Sequence, residues 1–378
     1  MKTLNIYING TDETNAVDRW SLTSLANVLH LLTVCDDNLN SHSICLEGCG
    51  VKNNDMRDFD AIFTFNLVKQ IKQLENEIRD SIKSSKEKLR LNLYGFSRGG
   101  AGVFLLCQNL KDISSDELEI NLVSFEPVPG NFITGVYADS FLGVNYTLSN
   151  MVYDLSECKN INDSLILFTN QPLPDFACHG PILPALPKSA NSLTEVIPGC
   201  HKGAELFMVE SGNVIRPYNN ESAIAFYHVI SFLQKNGTHF NFNNVSLSSE
   251  LVYLTKDLDL TEKGLLNLKR LYNEVQSKYS NKKPTSRAMH FGNSIFTHSQ
   301  QKHVNTFHQE LEGVKVDSDS TMLSIQEKNP QPVSAGHRYI GYAIQLTMLL
   351  ATALYFFNKY SNHSDDNLQE HDHFQNSI

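Results

Sequence analysis

The sequence lacks an excess of positive charge. Its 378 residues carry 31 Lys and Arg against 41 Asp and Glu, a formal net charge of −10. A nucleic-acid partner is excluded on that ground, because no basic stripe is present to release counterions from phosphate. Paired cysteines are also lacking. The seven cysteines, at 35, 45, 49, 107, 158, 178 and 200, form no C-x-x-C pair. Zinc ribbons and thiol redox motifs are therefore excluded. Cys45 and Cys107 lie in apolar stretches and are expected as small buried hydrophobes, in a reducing, cytosolic setting. The first apolar run, Leu4 to Ile8, is too short for a signal peptide and reads as a strand. His290, His298, His303 and His308 have no compact ligand spacing, so neither a metal nor a cofactor is expected. What remains is a chain 41% hydrophobic and 10% aromatic, long enough for a sizeable core.

One stretch organises that chain. Leu89, Leu91 and Leu93 alternate with Arg90, Asn92 and Tyr94, a strand pattern. Gly95-Phe96-Ser97-Arg98-Gly99 follows and then an apolar helix from Gly100. This is G-x-S-x-G in the strand–turn–helix context of a nucleophile elbow, where the serine stands on a strained turn. Its flanking glycines leave room for close backbones, and the helix N-terminus points free N–H groups at the reacting centre.

In chain order, Leu4, Ile6 and Ile8 form a strand that breaks at Asn9-Gly10-Thr11. A helix is expected over Ser21–Leu32, a strand over His42–Leu46, a Gly-rich turn over 47–51, and loop over 52–60. Ala61–Ser84 carries Leu67, Ile71, Leu74, Ile78 and Ile82 at three- and four-residue spacing, an amphipathic helix. Ile120 to Phe125 is a strand closed by Glu126-Pro127. Residues 131–160 have no clear period and read as a cover over the site. Leu165–Phe168 is a strand, residues 171–187 a Pro-rich loop, Leu193–Ile197 the last clear strand, and Glu221–Gln234 a helix. Alternating strands and helices predict a three-layer α/β architecture with a mostly parallel sheet. Ligands sit beyond the carboxyl ends of such strands. Gly10, Thr11, Ser97, Glu126, Asp175 and His201 all fall just after expected strands.

A serine hydroxyl needs a base within hydrogen-bond reach, and the base needs an acid. His201, in the Gly-flanked loop after the last strand, is the expected base. Glu126 and Asp175 are the two candidates for the acid. The N–H of Arg98 and one near Gly10 or Thr11 are the expected oxyanion donors. Residues 1–240 are expected to form the catalytic domain and 241–335 a helical and polar extension, with a helix from Thr261 to Tyr279. Within 336–360, the uncharged run Tyr339–Phe357 is about 28 Å long as a helix, close to a hydrocarbon core. It is either a membrane span or a buried or partner-bound helix. Residues 361–378 read as a disordered polar tail.

Five segments occur in order: Ile8-Asn9-Gly10-Thr11, Gly48-Cys49-Gly50-Val51, Tyr94 to Gly100, Phe125-Glu126-Pro127-Val128 and Pro198-Gly199-Cys200-His201. Together they resemble a bacterial α/β-hydrolase family, first defined as a domain of unknown function, that includes phospholipase effectors of type VI secretion systems. The resemblance covers roughly residues 1–240. It implies Ser97 as nucleophile, His201 as base and the acid at the Glu126 position, favouring Glu126 over Asp175. The chain departs from that family in Asn9 and Glu126, where aspartates are usual, and in Lys202, where an acidic residue is usual. The Asn-, Lys- and Ser-rich tail is similar in style to effectors of intracellular bacteria such as Legionella. The function expected is a lipase or esterase, plausibly a phospholipase effector, acting on a lipid or other ester substrate. The expected setting is a secreted effector in a reducing cytosolic compartment, associated with a membrane through Tyr339–Phe357; the alternative is the bacterial cytoplasm. The rival reading is a catalytically weak, membrane-tethered scaffold that binds a host or regulatory protein. A weaker one is acyl transfer on the same fold.

Overall fold

The computed structural model describes residues 1–15, 22–36, 40–51, 65–85, 87–129, 148–171, 181–201, 203–210, 214–243, 246–256, 262–279, 286–291 and 294–299. Six strands form the central sheet: β1 (Lys2–Ile8), β3 (Ser41–Leu46), β4 (Leu89–Phe96), β5 (Leu118–Phe125), β6 (Ile161–Gln171) and β8 (Asn191–Cys200). Their order is β3-β1-β4-β5-β6-β8, and every pairing is parallel. Parallel neighbours need crossovers, so helices cover both faces. Side chains alternate accordingly. Ile6, Ile8, Leu91, Leu93, Ile120 and Leu122 point to one core, with α2 (Phe65–Ser84), α3 (Arg98–Asn109) and the short α4 (Leu148–Val152). Tyr7, Tyr94, Phe96, Val123, Phe125 and Leu167 point to the other, with α1 (Leu25–Leu32) and α5 (Asn220–Lys235). This is the expected three-layer, mostly parallel α/β arrangement, with a C-terminal helical extension.

The extension begins with α6 (Ser249–Lys256) and α7 (Glu262–Tyr279). Leu251, Leu254, Leu268, Leu271, Tyr272 and Val275 belong to the same core as α1 and α5. Polar links reinforce the packing. His228 Nε2 lies 2.8 Å from the Tyr272 hydroxyl, and His228 Nδ1 lies 2.9 Å from Glu195 of β8. A second polar line runs across the sheet. Asn5, Asn92 and Asn121 sit in register on β1, β4 and β5. Their amides hydrogen-bond in sequence at 3.3 and 3.0 Å, and Thr238 closes the row on Asn5. Polar groups are tolerated there because each finds a partner.

Several elements differ from the pattern read in the sequence. The helix expected from Ser21 starts at Leu25, because Leu22–Ser24 is a strand (β2) and Ser24 caps the helix through Asn27 N–H. Leu193–Ile197 is not the last strand. β9 (Leu206–Glu210), β10 (Val214–Pro217) and β11 (Ser246–Leu247) join β2 in a small sheet of order β11-β10-β9-β2. These strands are too short for alternation to stand out from their polar surroundings. Ile182–Leu183 (β7) interrupts the Pro-rich loop, and a hairpin of β12 (Ser286–Phe291) and β13 (Ser294–Ser299) pairs with it. In the expected cover, Leu148 and Val152 of α4 are buried against the α3 side of the sheet. Cys107 is buried as expected, whereas Cys45 is only partly buried. Burial still pushes the Cys45 thiol up to about 12. The 52–60 loop, the 339–357 run and the tail lie outside the described residues. Among those described, no helix is long and apolar enough to cross a membrane, and no cluster of His, Cys, Asp or Glu is suited to a metal ion.

Candidate active site

β4 ends at Phe96 and α3 begins at Arg98, so Ser97 alone makes the turn. Its φ of 53° and ψ of −115° are strained for an L-residue, at a general cost of about 1–3 kcal/mol. Neighbours hold it there. Ser97 N–H donates to Phe125 O at 2.9 Å, and Val128 N–H donates to Ser97 O at 3.0 Å. The glycines are required by close approach. A Cβ on Gly95 would lie 2.2 Å from Gly99 O, and one on Gly99 would lie 2.3 Å from Ile8 O.

β5 ends one strand over, and Glu126 follows it with a φ of 49°. Glu126 N–H still donates to Leu167 O at 2.8 Å, so the left-handed turn comes while the residue is pinned to β6. Its side chain is fully buried. One oxygen, Oε1, accepts from Thr169 N–H at 2.5 Å. The other, Oε2, lies 2.8 Å from His201 Nδ1. His201 Nε2 lies 3.0 Å from Ser97 Oγ. A carboxylate only accepts, so Nδ1 carries the proton donated to Glu126 and Nε2 is left to accept from the serine hydroxyl. Ser97 and His201 are 5% and 4% exposed. The extra methylene that Glu126 has over an aspartate leaves its carboxylate at ordinary hydrogen-bond distance from the imidazole. Asp175, the other candidate, lies outside the described residues.

The His201 loop is built on α5. Gly199 has a φ of 134°, and a Cβ there would lie 3.0 Å from Glu221 Cγ. Glu221 is buried beneath the loop and pairs with Lys278 of α7 at 2.9 Å. Phe96 lies against the imidazole, ring centroids 4.8 Å apart and planes at 36°. Phe96, Thr169 and Glu221 were not singled out in the sequence. Phe96 alone carried a signal, as the variable residue inside G-x-S-x-G.

The expected oxyanion donors fall at the ends of β1 and β4. Gly10 N–H donates to Glu13 Oε2 at 2.8 Å. Thr11 Oγ1 lies 3.4 Å from Cys49 Sγ. Arg98 opens α3, so its N–H is among those left free by the helix start. Arg98 as a residue is 4% exposed, and its guanidinium donates to Pro129 O at 2.8 Å. Burial lowers its pKa from the usual arginine value. Asn9 has its own role: its amide bonds Asn27 Oδ1 and Leu46 O, and it accepts from the Ser24 hydroxyl.

No family model matches the chain, and no curated protein matches it. Solved structures do. An uncharacterized protein from Pseudomonas aeruginosa is 14% identical, with 73% of this chain and 51% of that one covered and a TM-score of 0.42. The Tle1 effector bound to the VgrG spike of the type VI secretion system is 15% identical, with 53% and 50% covered and a TM-score of 0.33. Est1E from Butyrivibrio proteoclasticus is 13% identical, with 62% and 88% covered and a TM-score of 0.32. The chain thus spans about half the length of the first two structures it matches. At such identities and TM-scores, its chemistry is read from its own residues.

Proposed function

We propose that this protein is a serine hydrolase of the lipase/esterase type, with Ser97 as nucleophile, His201 as base and Glu126 as acid. The observation that carries the reading is the contact chain from Ser97 Oγ through both imidazole nitrogens to Glu126, at 3.0 and 2.8 Å. Ser97 Oγ attacks the ester carbonyl as its proton passes to His201 Nε2. Glu126 holds the resulting imidazolium, which then donates the Nε2 proton to the leaving alcohol. Water repeats the sequence on the acyl-serine, releasing the acid and restoring Ser97. The Arg98 N–H and a second N–H, at Thr11 or at Gly10 once Glu13 releases it, receive the oxyanion, each worth roughly a hundredfold or more in rate. A phospholipid substrate, and delivery as a secreted effector, are the finer part of the proposal. They are supported by the five motif segments and by the apolar Tyr339–Phe357 run.

The test is fluorophosphonate labelling of the full chain beside Ser97→Ala, followed by product analysis on phospholipid vesicles. Labelling that persists in Ser97→Ala would remove the serine from its role. A second reading, a hydrolase-like scaffold for a partner protein, is favoured by one observation: the Glu13 carboxylate occupies the Gly10 N–H. That reading requires an unlabelled, folded wild type whose partner stays bound after Ser97→Ala.

A further inference from the structure

Among the arginines whose side chains are described, four meet a carboxylate. Arg79 pairs with Asp112 and Glu75, Arg90 with Glu119, Arg216 with Glu210 and Arg270 with Glu274. Arg98 is more buried than any of them, at 4% exposed. Among the described residues, no carboxylate pairs with it. Its one hydrogen bond runs from Nη1 to the carbonyl of Pro129. A guanidinium has five N–H donors in a fixed fork, so most of that fork is unused. The neighbouring acidic group is a thiol, Cys49, itself fully buried. A buried charge without a counter-charge is unfavourable, and the lowered Arg98 pKa expresses that.

The location gives this cation a use. Arg98 directly follows Ser97 at the start of α3. Its side chain runs to the segment after β5, beside the turn after β3. It therefore stands at the carboxyl ends of the central strands, where ligands of parallel sheets bind, on the residue next in the chain to the proposed nucleophile. The helix N-terminus adds a partial positive charge at the same place.

We propose that the Arg98 guanidinium, beside the N-terminus of α3, is a subsite for the phosphate of the substrate. This deepens the serine-hydrolase reading and rests on it for the word substrate. A glycerophospholipid has its phosphate only a few bonds from the acyl ester, so ester at Ser97 and phosphate at Arg98 suit one molecule. The fork matches phosphate geometry in a way that an ammonium does not.

Two measurements test it. The first is calorimetric titration of sn-glycerol 3-phosphate into the full chain, as wild type, Ser97→Ala, Arg98→Lys and Arg98→Gln, with melting curves to verify folding. Binding is expected in the first two, weakened in Arg98→Lys and lost in Arg98→Gln. No binding to wild type, or equal binding to a folded Arg98→Gln, overturns the subsite. The wild-type result stands even where Arg98→Gln does not fold. The second is the ratio of kcat/KM for phosphatidylglycerol to that for diacylglycerol of the same chains. Arg98→Gln should lower the ratio roughly 10- to 100-fold, with Arg98→Lys in between. Equal losses on both substrates point to a structural arginine and overturn the subsite. Glycerol 3-phosphate binding with no phospholipid preference in wild type assigns the subsite to a soluble phosphate ester instead. Fluorophosphonate labelling separates the two readings. Absent labelling with intact glycerol 3-phosphate binding removes the serine chemistry and keeps the anion site; the reverse pattern removes the anion site alone.

Discussion

Glu126→Gln changes one atom type and no volume, and the surrounding donors make its consequence calculable. Glu126 accepts twice, from Thr169 N–H and from His201 Nδ1–H. A glutamine has one acceptor and one donor end. With its oxygen on Thr169, the amide NH2 faces His201 Nδ1. That nitrogen must then lose its proton, the proton moves to Nε2, and Nε2 no longer accepts from Ser97. With its oxygen on His201, the NH2 faces the Thr169 N–H, two donors in a fully buried place. Such a clash costs about 1–3 kcal/mol, so the tautomer-reversed arrangement is preferred. A reversed tautomer in a triad lowers kcat about 10⁴-fold, a figure taken from serine proteases, which is about 5 kcal/mol of barrier. The assay is the pseudo-first-order rate of fluorophosphonate labelling at neutral pH, with melting curves in parallel. A folded Glu126→Gln that labels within about threefold of wild type would refute this chain of reasoning, as would loss of labelling in Asp175→Asn with Glu126→Gln unaffected. Glu126→Asp suits the left-handed backbone at φ 49°, because aspartate tolerates that region. Its shorter side chain nevertheless withdraws the carboxylate from His201, so the rate falls while stability is kept.

Four further outcomes follow from the geometry. Ser97→Gly should be more stable than Ser97→Ala by about 1 kcal/mol in urea unfolding, because only glycine relieves the φ of 53°; neither should label. Gly99→Ala should cost about 3 kcal/mol or prevent soluble expression, since its Cβ would meet the Ile8 carbonyl, which cannot yield like a flexible side chain. Asn92→Ala should cost about 3 kcal/mol in the same experiment, because Asn121 and Thr238 lose a buried partner. Tyr272→Phe removes the hydroxyl facing His228 Nε2 and should lower stability by about 1–2 kcal/mol while leaving the labelling rate unchanged.

Strand existence was legible because the central strands repeat Leu, Ile and Val at a period of two, and the sheet's parallel character because those strands alternate with helices such as Phe65–Ser84 that keep their own period. The tight turn at Ser97 was legible because a strained turn between closely packed backbones demands glycine on either side, a local requirement that leaves a local pattern. The position of His201 was legible for a similar reason, as a loop histidine among glycines after a strand. The choice between Glu126 and Asp175 was not settled by spacing or periodicity, and the motif resemblance only favoured Glu126. A left-handed φ at a glutamate, and the reach of its carboxylate across the end of β6 to the His201 loop, depend on strands that are distant in the chain. The small sheet of β2, β9, β10 and β11 was equally hidden, since its two- to five-residue strands are defined by pairing partners rather than by their own sequences. So too was the isolation of Arg98. The sequence by itself determined which residues are candidates for the proposed chemistry and that they follow expected strands. Only the tertiary structure decided which of them meet, because hydrogen-bond geometry, and the absence of a counter-charge at Arg98 among the described residues, are properties of neighbours brought together by the fold.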